Sequence, residues 1–373
     1  MIKKHIKVFI LIACIFTASL FGGVFVNDSS QVATPPLQTN YTYEPTASAT
    51  IPTSYDLRDY IDIGVENQNP YGICYAYASL TSLETYLALH YGEYYDFSEL
   101  HFAVSLYKQA GYYSSISDAL SSGGNFTHFV TYTQKDKSLV LEEEMPKSKY
   151  AYTSAGKSQM ETDYNNINNN FYSVAKVNDT KTFKQYAGNK SKYTTSELTT
   201  FRNSVKQHII NYGSLTAGIY TNTSIFTNNT KYYKVTNDSL VSSEQAITDN
   251  INHLISIVGW DDTYNANGTW ATPGAYLCLN SWGEAFGDDG YFYVSYDDYF
   301  IESTIQGIVD ASLCTTNDKI STIANHPQNT FIMTHTFDYD IYFVNVFDTS
   351  KYTGSSITYI DTFVKGGTTK FYI

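Results

Sequence analysis

The sequence predicts an α+β protein in which a helical half precedes a β-rich half. Residues 74–90 contain no Gly or Pro, and Ala, Leu and Tyr recur there at helical spacing, which indicates a helix. After Gly213, short β-branched and aromatic runs are separated by turn signals, which indicates strands: LTAGIY, HLISIVGW, AYLCLN and GYFYVSY. A length of 373 residues is sufficient for two or three compact units.

The N-terminal segment, residues 1–26, is predicted to be a signal peptide or a retained signal anchor. It opens with MIKKHIK, which has three lysines and no acid, and an apolar run from Val8 to Val26 follows. A lipoprotein-type box ends at Cys14, but the apolar run continues past it as in an ordinary signal. Residues 27–50 lack the aliphatic side chains of a core and are predicted to be a short leader or linker. We therefore expect a secreted or cell-surface attached protein.

The composition excludes some classes of partner. The formal net charge is −13, and no cluster of Lys and Arg follows the N-terminal segment. Because nucleic-acid binding depends on such clusters, no nucleic-acid partner is expected. The histidines show no metal-ligand spacing, so neither a metal nor a cofactor is predicted.

Cys74 stands at the first turn of the predicted helix. Unpaired backbone N–H groups and the helix dipole favour an anion at that position, so a thiolate forms there more easily. Gln68 precedes it in a loop of turn residues, and its side-chain N–H can join the backbone N–H of Cys74 in holding an oxyanion. Taken alone, a cysteine on such a helix is more often a small buried residue than a nucleophile.

The residues around Cys74 resemble the active-site motif of the papain and cathepsin family of cysteine peptidases. The resemblance is carried by Asn67-Gln68 and by the run from Gly72 to Tyr77, GICYAY. Tyr71 replaces the first cysteine of the motif, so the disulfide that the family usually forms there is absent. Residues 51–58, IPTSYDLR, are similar to the mature N-terminus of the family, and residues 96–100 and 123–125 carry weaker similarity.

Two later segments complete the resemblance. His253 opens the strand HLISIVGW, and Asn280 lies in LNSWG, so the family order of nucleophile, histidine and asparagine is kept. The spacing exceeds the roughly 130 to 150 residues of the family pattern. We assign the excess to polar insertions at residues 153–200, where the periodicity is weak, and 263–273; a helix is predicted over residues 201–212.

For residues 51–313 the resemblance implies a papain-like two-lobed fold, in which a helical lobe carries Cys74 and a β-barrel-like lobe carries His253 and Asn280. The implied catalytic residues are Cys74, His253, Asn280 and Gln68. The candidate substrate-binding residues are Gly123 and Gly124 as a glycine wall, Ala217 and the segment around Phe126 as walls of the main specificity pocket, and Trp282 as a shield over the histidine–asparagine hydrogen bond.

The implied function is a cysteine endopeptidase that cleaves protein or peptide substrates through a thioester acyl-enzyme. Two alternatives stay open: a catalytically silent surface binding protein, and a transpeptidase or ligase that uses the same triad.

The tail, residues 314–373, contains runs that alternate apolar and polar residues, which predicts a small all-β extension. It resembles the start of the lectin-like domain that follows some bacterial papain-like peptidases, which implies a carbohydrate or cell-surface ligand. Cys278 is predicted to be buried in a strand, and a bridge between Cys278 and Cys314 is left open.

Overall fold

The structure is a computed structural model, and it describes residues 24–28, 50–109, 111–133, 139–168, 173–314, 322–324 and 356–361. The helices are α1 (Cys74–Tyr91), α2 (Glu99–Lys108), α3 (Ile116–Ala119), α4 (Phe126–Thr133), α5 (Ser154–Asn168), α6 (Thr195–Tyr212) and α7 (Glu244–Asn250). The strands are β1 (Val24–Asp28), β2 (Ser54–Asp56), β3 (Ala175–Thr182), β4 (Leu215–Ile219), β5 (Tyr232–Tyr233), β6 (His253–Asp261), β7 (Ala275–Leu279), β8 (Tyr291–Ser295), β9 (Gln306–Leu313), β10 (Thr322–Ala324) and β11 (Ser356–Asp361).

The chain divides into two units. One unit contains a three-stranded antiparallel sheet in which β1 lies between β10 and β11. Apart from these strands, residue 50 and Cys314, the predicted signal, leader and tail lie outside the described residues. Among the described helices, none combines the length and apolar character needed to cross a membrane.

The larger unit has two lobes, each with its own hydrophobic core. The core of the helical lobe is built mainly by α1, α2, α4 and α5, and includes Tyr75, Leu80 and Phe102. The core of the β-rich lobe lies between α6 and the strands β4, β6, β7 and β8, and includes Ile257 and Phe292. The predicted α+β, two-lobed fold is thus confirmed.

Helix α1 occupies the junction between the lobes. Most of its side chains are buried, because it packs against α2 and α4 on one side and strands β4 and β6 on the other. Ser82 and Thr85 on α1 fix this docking: the hydroxyl of Ser82 donates to the carbonyl oxygen of Ser214 at 2.9 Å, and the hydroxyl of Thr85 accepts from the Ser214 N–H at 2.9 Å. The helix ends at Gly92, whose φ of 66° suits a residue without a Cβ.

The sheet of the larger unit has the order β3-β9-β4-β6-β7-β8-β5, with β2 paired to β6. The pairs β4–β6 and β6–β7 are antiparallel, and β7 ends one residue before Asn280. His253 is the first residue of β6 and lies opposite Ile219. The four runs predicted as strands from sequence correspond to β4, β6, β7 and β8.

Residues 153–200 are more regular than the sequence predicts. They include α5 and β3, and β3 pairs antiparallel with β9 at the edge of the sheet. Helix α6 begins at Thr195, six residues before the predicted start, because Thr194 and Glu197 form a capping box. The pairing of β3 is long-range, so weak local periodicity gave no sign of it.

Candidate active site

Cys74 is the first residue of α1, and its thiol lies where the two lobes meet. No side chain caps the start of this helix, and the backbone N–H of Leu254 approaches Sγ to 3.5 Å. Burial raises the pKa of the Cys74 thiol, while the backbone N–H groups of Leu254, Tyr75 and Cys74 itself oppose that rise by stabilising the thiolate. The start of β6, where His253 lies, therefore meets the start of α1.

His253 and Asn280 form a buried pair at adjoining ends of β6 and β7. The imidazole Nε2 donates to the amide oxygen Oδ1 of Asn280 at 2.8 Å, and Asn280 is fully buried. Since an amide oxygen only accepts, this bond places the proton on Nε2 and leaves Nδ1 as the basic nitrogen. Burial lowers the pKa of His253 to about 4, opposed by the bond to Asn280.

Two aromatic rings enclose this pair. The ring of Trp282 lies 5.3 Å from that of His253, and Phe226 lies 6.1 Å from His253 and 5.2 Å from Trp282. Trp282, predicted to shield the histidine–asparagine hydrogen bond, thus packs against the imidazole ring, and its shielding role stays a prediction. Phe226 was not predicted, because it lies in a polar loop without periodicity.

Gln68 lies in a loop that is hydrogen-bonded to the segment after β7. Its backbone N–H donates to the carbonyl oxygen of Ser281 at 2.7 Å, and the Gly283 N–H donates to the carbonyl oxygen of Glu66 at 2.8 Å. The side chain is held at both ends: Oε1 accepts from the Ser281 hydroxyl at 2.6 Å, and Nε2 donates to the carbonyl oxygen of Tyr71 at 2.8 Å. An amide nitrogen has two hydrogens, so one N–H of Gln68 is left for a ligand.

The glycine pair lies next to Tyr75. A Cβ at Gly124 would lie 2.9 Å from ring atoms of Tyr75, the residue after Cys74. Gly123 has a φ of 72° with open space around its Cβ position, and its carbonyl oxygen accepts from the hydroxyl of Tyr113. Glycine is therefore required at 124 for close packing and favoured at 123 by its backbone conformation.

Ala217 does not line the cleft in the way the sequence predicts. It lies opposite Ile255 in the middle of β4, is fully buried and belongs to the core of the β-rich lobe. Successive side chains of a strand point to opposite faces, so Gly218 and its partner Leu254 occupy the other face. Leu254 carries the N–H that approaches the Cys74 thiol. Phe126, the other candidate, is buried at the start of α4.

A second cysteine, Cys278, lies in the β-rich lobe. Cys278 lies fully buried in β7 as a reduced thiol, so no bridge joins it to Cys314. Burial raises the pKa of Cys278 well above its usual range, which keeps the group protonated.

Comparisons with known proteins agree with this architecture. The cysteine protease and lectin-like domains of Cwp84, a surface layer associated protein of Clostridium difficile, match with a TM-score of 0.53 and 23% identity, over 72% of this chain and 53% of that one. SERA5E from Plasmodium falciparum matches with a TM-score of 0.51 and 16% identity, over 72% of this chain and 100% of that one. These likenesses concern the fold.

The chain spans about half the length of the Cwp84 structure that it matches. A comparison with curated proteins found no match. Residues 51–316 match the sequence profile of the papain family cysteine proteases, which covers both lobes and all four residues around the candidate site. On this profile match and the two-lobed fold, the chain belongs to the papain family of cysteine proteases.

Proposed function

We propose that the chain is a cysteine endopeptidase with Cys74 as nucleophile, His253 as general base and acid, Asn280 as the group that orients the imidazole, and Gln68 as an oxyanion donor. The observation that carries the proposal is the 2.8 Å hydrogen bond from His253 to Asn280 at the start of β6. The next residue of that strand, Leu254, brings its backbone N–H to 3.5 Å from the Cys74 thiol. A nucleophile, a base and an orienting group in one chain of contacts are what thiol catalysis requires.

The first chemical step is transfer of the thiol proton from Cys74 to Nδ1 of His253. Burial disfavours either charge by itself, since it raises the pKa of Cys74 and lowers that of His253. Proton transfer within the pair leaves its total charge unchanged, so the two groups titrate as a unit. The resulting sulfur anion attacks the peptide carbonyl carbon and forms a tetrahedral oxyanion.

Gln68 and the backbone N–H of Cys74 donate to that oxyanion. The remaining Nε2 hydrogen of Gln68 is available because the other is engaged by Tyr71. One such donor contributes on the order of 3 kcal/mol to the transition state. Collapse breaks the C–N bond, His253 protonates the leaving amine, and a thioester remains on Cys74; water activated by His253 then releases the acid.

An extended protein or peptide is the proposed substrate. Open space at the Cβ position of Gly123 leaves room for a substrate backbone, and Trp282 shields the His253–Asn280 bond from water. Export from the cell is proposed on the lysine-rich start and apolar run of residues 1–26. A carbohydrate or cell-surface ligand for residues 314–373 stays a prediction.

Alkylation of the purified protein tests the proposal. Iodoacetamide at mildly acidic pH should label Cys74 selectively, and the labelling should be lost in His253→Ala, while buried Cys278 serves as an internal control. Absence of labelling at Cys74, or equal labelling in His253→Ala, would refute the assignment.

Product analysis separates the enzymatic alternatives. Cleavage of a fluorogenic peptide should yield the free acid as main product even with an added amine. A dominant amide product would favour a transpeptidase or ligase, and an alkylated Cys74 without turnover of any peptide would favour a binding protein.

A further inference from the structure

The glycine segment, residues 123–125, is held by two side chains that the proposed mechanism does not use. The segment contains the candidate substrate-binding residues Gly123 and Gly124, and Asn125, which directly precedes α4. The two side chains are those of Tyr113, before α3, and His128, in the first turn of α4. Each forms a hydrogen bond with the backbone of the segment.

His128 holds the peptide unit between Gly124 and Asn125. Its Nδ1 accepts from the backbone N–H of Asn125 at 3.2 Å, and Oδ1 of Asn125 accepts from the backbone N–H of His128 at 3.2 Å. This is the reciprocal pattern of a capping box, with an imidazole in place of the usual Glu or Gln. Because an imidazole nitrogen accepts only when it carries no proton, the bond requires a neutral ring with its proton on Nε2.

Three tyrosine rings pack around this imidazole. The ring centroid of Tyr112 lies 4.2 Å from that of His128, and those of Tyr75 and Tyr113 each lie 6.2 Å away. Burial lowers the pKa of His128 to about 4, so the ring is neutral at neutral pH and Nδ1 can accept. Tyr75 directly follows Cys74 in α1, so these rings connect the glycine segment to the helix of the nucleophile.

Tyr113 holds the preceding peptide unit, between Gly123 and Gly124. Its phenol hydroxyl donates to the carbonyl oxygen of Gly123. A trans peptide unit is planar, and its C=O and N–H point in opposite directions. The bond from Tyr113 therefore turns the N–H of Gly124 away from Tyr113, and the bond to His128 turns the C=O of Gly124 away from His128.

Both backbone groups of Gly124 stay available as a result. Within the part of the chain that the structure describes, no backbone–backbone hydrogen bond engages its N–H or its C=O. An extended peptide beside the segment can donate to the C=O and accept from the N–H of one residue, as in a pair of antiparallel strands. Neither Gly123 nor Gly124 has a side chain that could cover these groups.

We propose that His128 and Tyr113 are positioning residues for substrate binding: they fix two successive peptide planes so that Gly124 presents its N–H and C=O to an extended peptide. The inference rests on the proposed function, because it concerns the same substrate site. Both residues act on the glycine segment and not on the sulfur or the imidazole of the catalytic pair. Their loss should therefore weaken substrate binding and leave the chemical step unchanged.

His128→Phe and Tyr113→Phe test this role in steady-state cleavage of a fluorogenic peptide. Each variant keeps an aromatic ring and loses one hydrogen bond, so KM should rise by about fivefold while kcat stays within about twofold of wild type. His128→Gln should keep KM within about twofold of wild type, because a glutamine at this position of a capping box also accepts from the N–H of Asn125. Tyr112→Phe is the matched control: it removes a phenol hydroxyl from the adjacent residue, keeps the ring beside His128 and should retain the wild-type KM.

Amide hydrogen exchange gives a second readout that needs no activity. Exchange of the glycine segment should be about fivefold faster in His128→Phe than in wild type, and unchanged in His128→Gln. Iodoacetamide should label Cys74 at the wild-type rate in both variants, since this small reagent needs no contact with Gly124. Absence of both cleavage and labelling in the wild type would instead refute the proposed function, and hydrogen exchange would then decide whether the segment is held as inferred.

A KM within about twofold of wild type for either His128→Phe or Tyr113→Phe would overturn the inference. A fall in kcat at unchanged KM would also overturn it, because the two residues would then act on the catalytic pair. Equal KM values for His128→Phe and His128→Gln would likewise contradict it, since the imidazole would act through packing alone. If His128→Phe fails to fold, His128→Leu replaces it, because leucine also keeps an apolar side chain and lacks the acceptor.

Discussion

The hydrogen bond between Ser281 and Gln68 makes a quantitative prediction about the oxyanion donor. Gln68→Ala removes the donor, and Ser281→Ala removes only the hydroxyl that holds Oε1 of Gln68 at 2.6 Å. If Ser281 acts solely through Gln68, its loss should matter only while Gln68 is present. The pair of variants therefore tests both the role of Gln68 and the path by which Ser281 contributes.

The expected magnitudes follow from the contacts. Loss of one oxyanion donor costs about 3 kcal/mol, which corresponds to on the order of a hundredfold loss of kcat. Loss of a neutral hydrogen bond costs about 1 kcal/mol, or about a fivefold loss for Ser281→Ala, because Gln68 stays anchored to Tyr71 through Nε2. The double variant should resemble Gln68→Ala, since the two residues act as one unit.

Steady-state cleavage of a fluorogenic peptide measures all three variants. Ser295→Ala is the control, because this buried serine lies in β8 and its hydroxyl accepts from a backbone N–H instead of touching Gln68. Its kcat should stay within about twofold of the wild type, because the Ser295 hydroxyl does not touch Gln68. A kcat for Gln68→Ala within about threefold of wild type would refute the donor role. Multiplicative losses in the double variant would refute the coupling.

Three other predictions concern the pair and the glycine wall. Burial lowers the pKa of His253 to about 4, so the stability that the neutral imidazole contributes is present above the unfolded pKa of histidine and is lost as the pH falls through about 4. The value of kcat/KM should likewise halve near pH 4, and a loss centred above about pH 5.5 would contradict this prediction. Asn280→Ala should lower kcat by about tenfold to a hundredfold. It should also move the acid limb of the pH profile to lower pH, because the hydrogen bond to Asn280 raises the pKa of His253 and its removal lowers that pKa; a limb that moves upward would argue against this role. Gly124→Ala should destabilise the fold by about 1 to 3 kcal/mol in chemical denaturation, since its Cβ would meet Tyr75 at 2.9 Å; unchanged stability would show that the ring yields freely.

Some features could be read from the sequence because their determinants are local. The uninterrupted run from Cys74 to His90 predicts a helix, and the structure has one over Cys74–Tyr91. The motif around His253 lies in a β-branched strand, as expected. Cys278 was expected in a buried strand, and its side chain is fully buried in β7.

Other features depend on pairing between distant segments. Ala217 was expected at the cleft, yet register with Ile255 turns its side chain into the core and leaves Gly218 on the opposite face. A shift of one position along a strand reverses the face, and sequence alternation gives no absolute register in a fully buried strand such as β4. Strand β3 (Ala175–Thr182) likewise forms only through its pairing with β9.

By itself, the sequence determined the family, the order of nucleophile, histidine and asparagine, and the division into helical and β-rich parts. Each of these depends on short motifs and local periodicity. Only the tertiary structure decided that Ser281 holds Gln68, and that the pairing of β4 with β6 turns Ala217 into the core. Those contacts join residues far apart in the chain, and their free energy comes from burial and from pairing between distant segments, which no local pattern encodes.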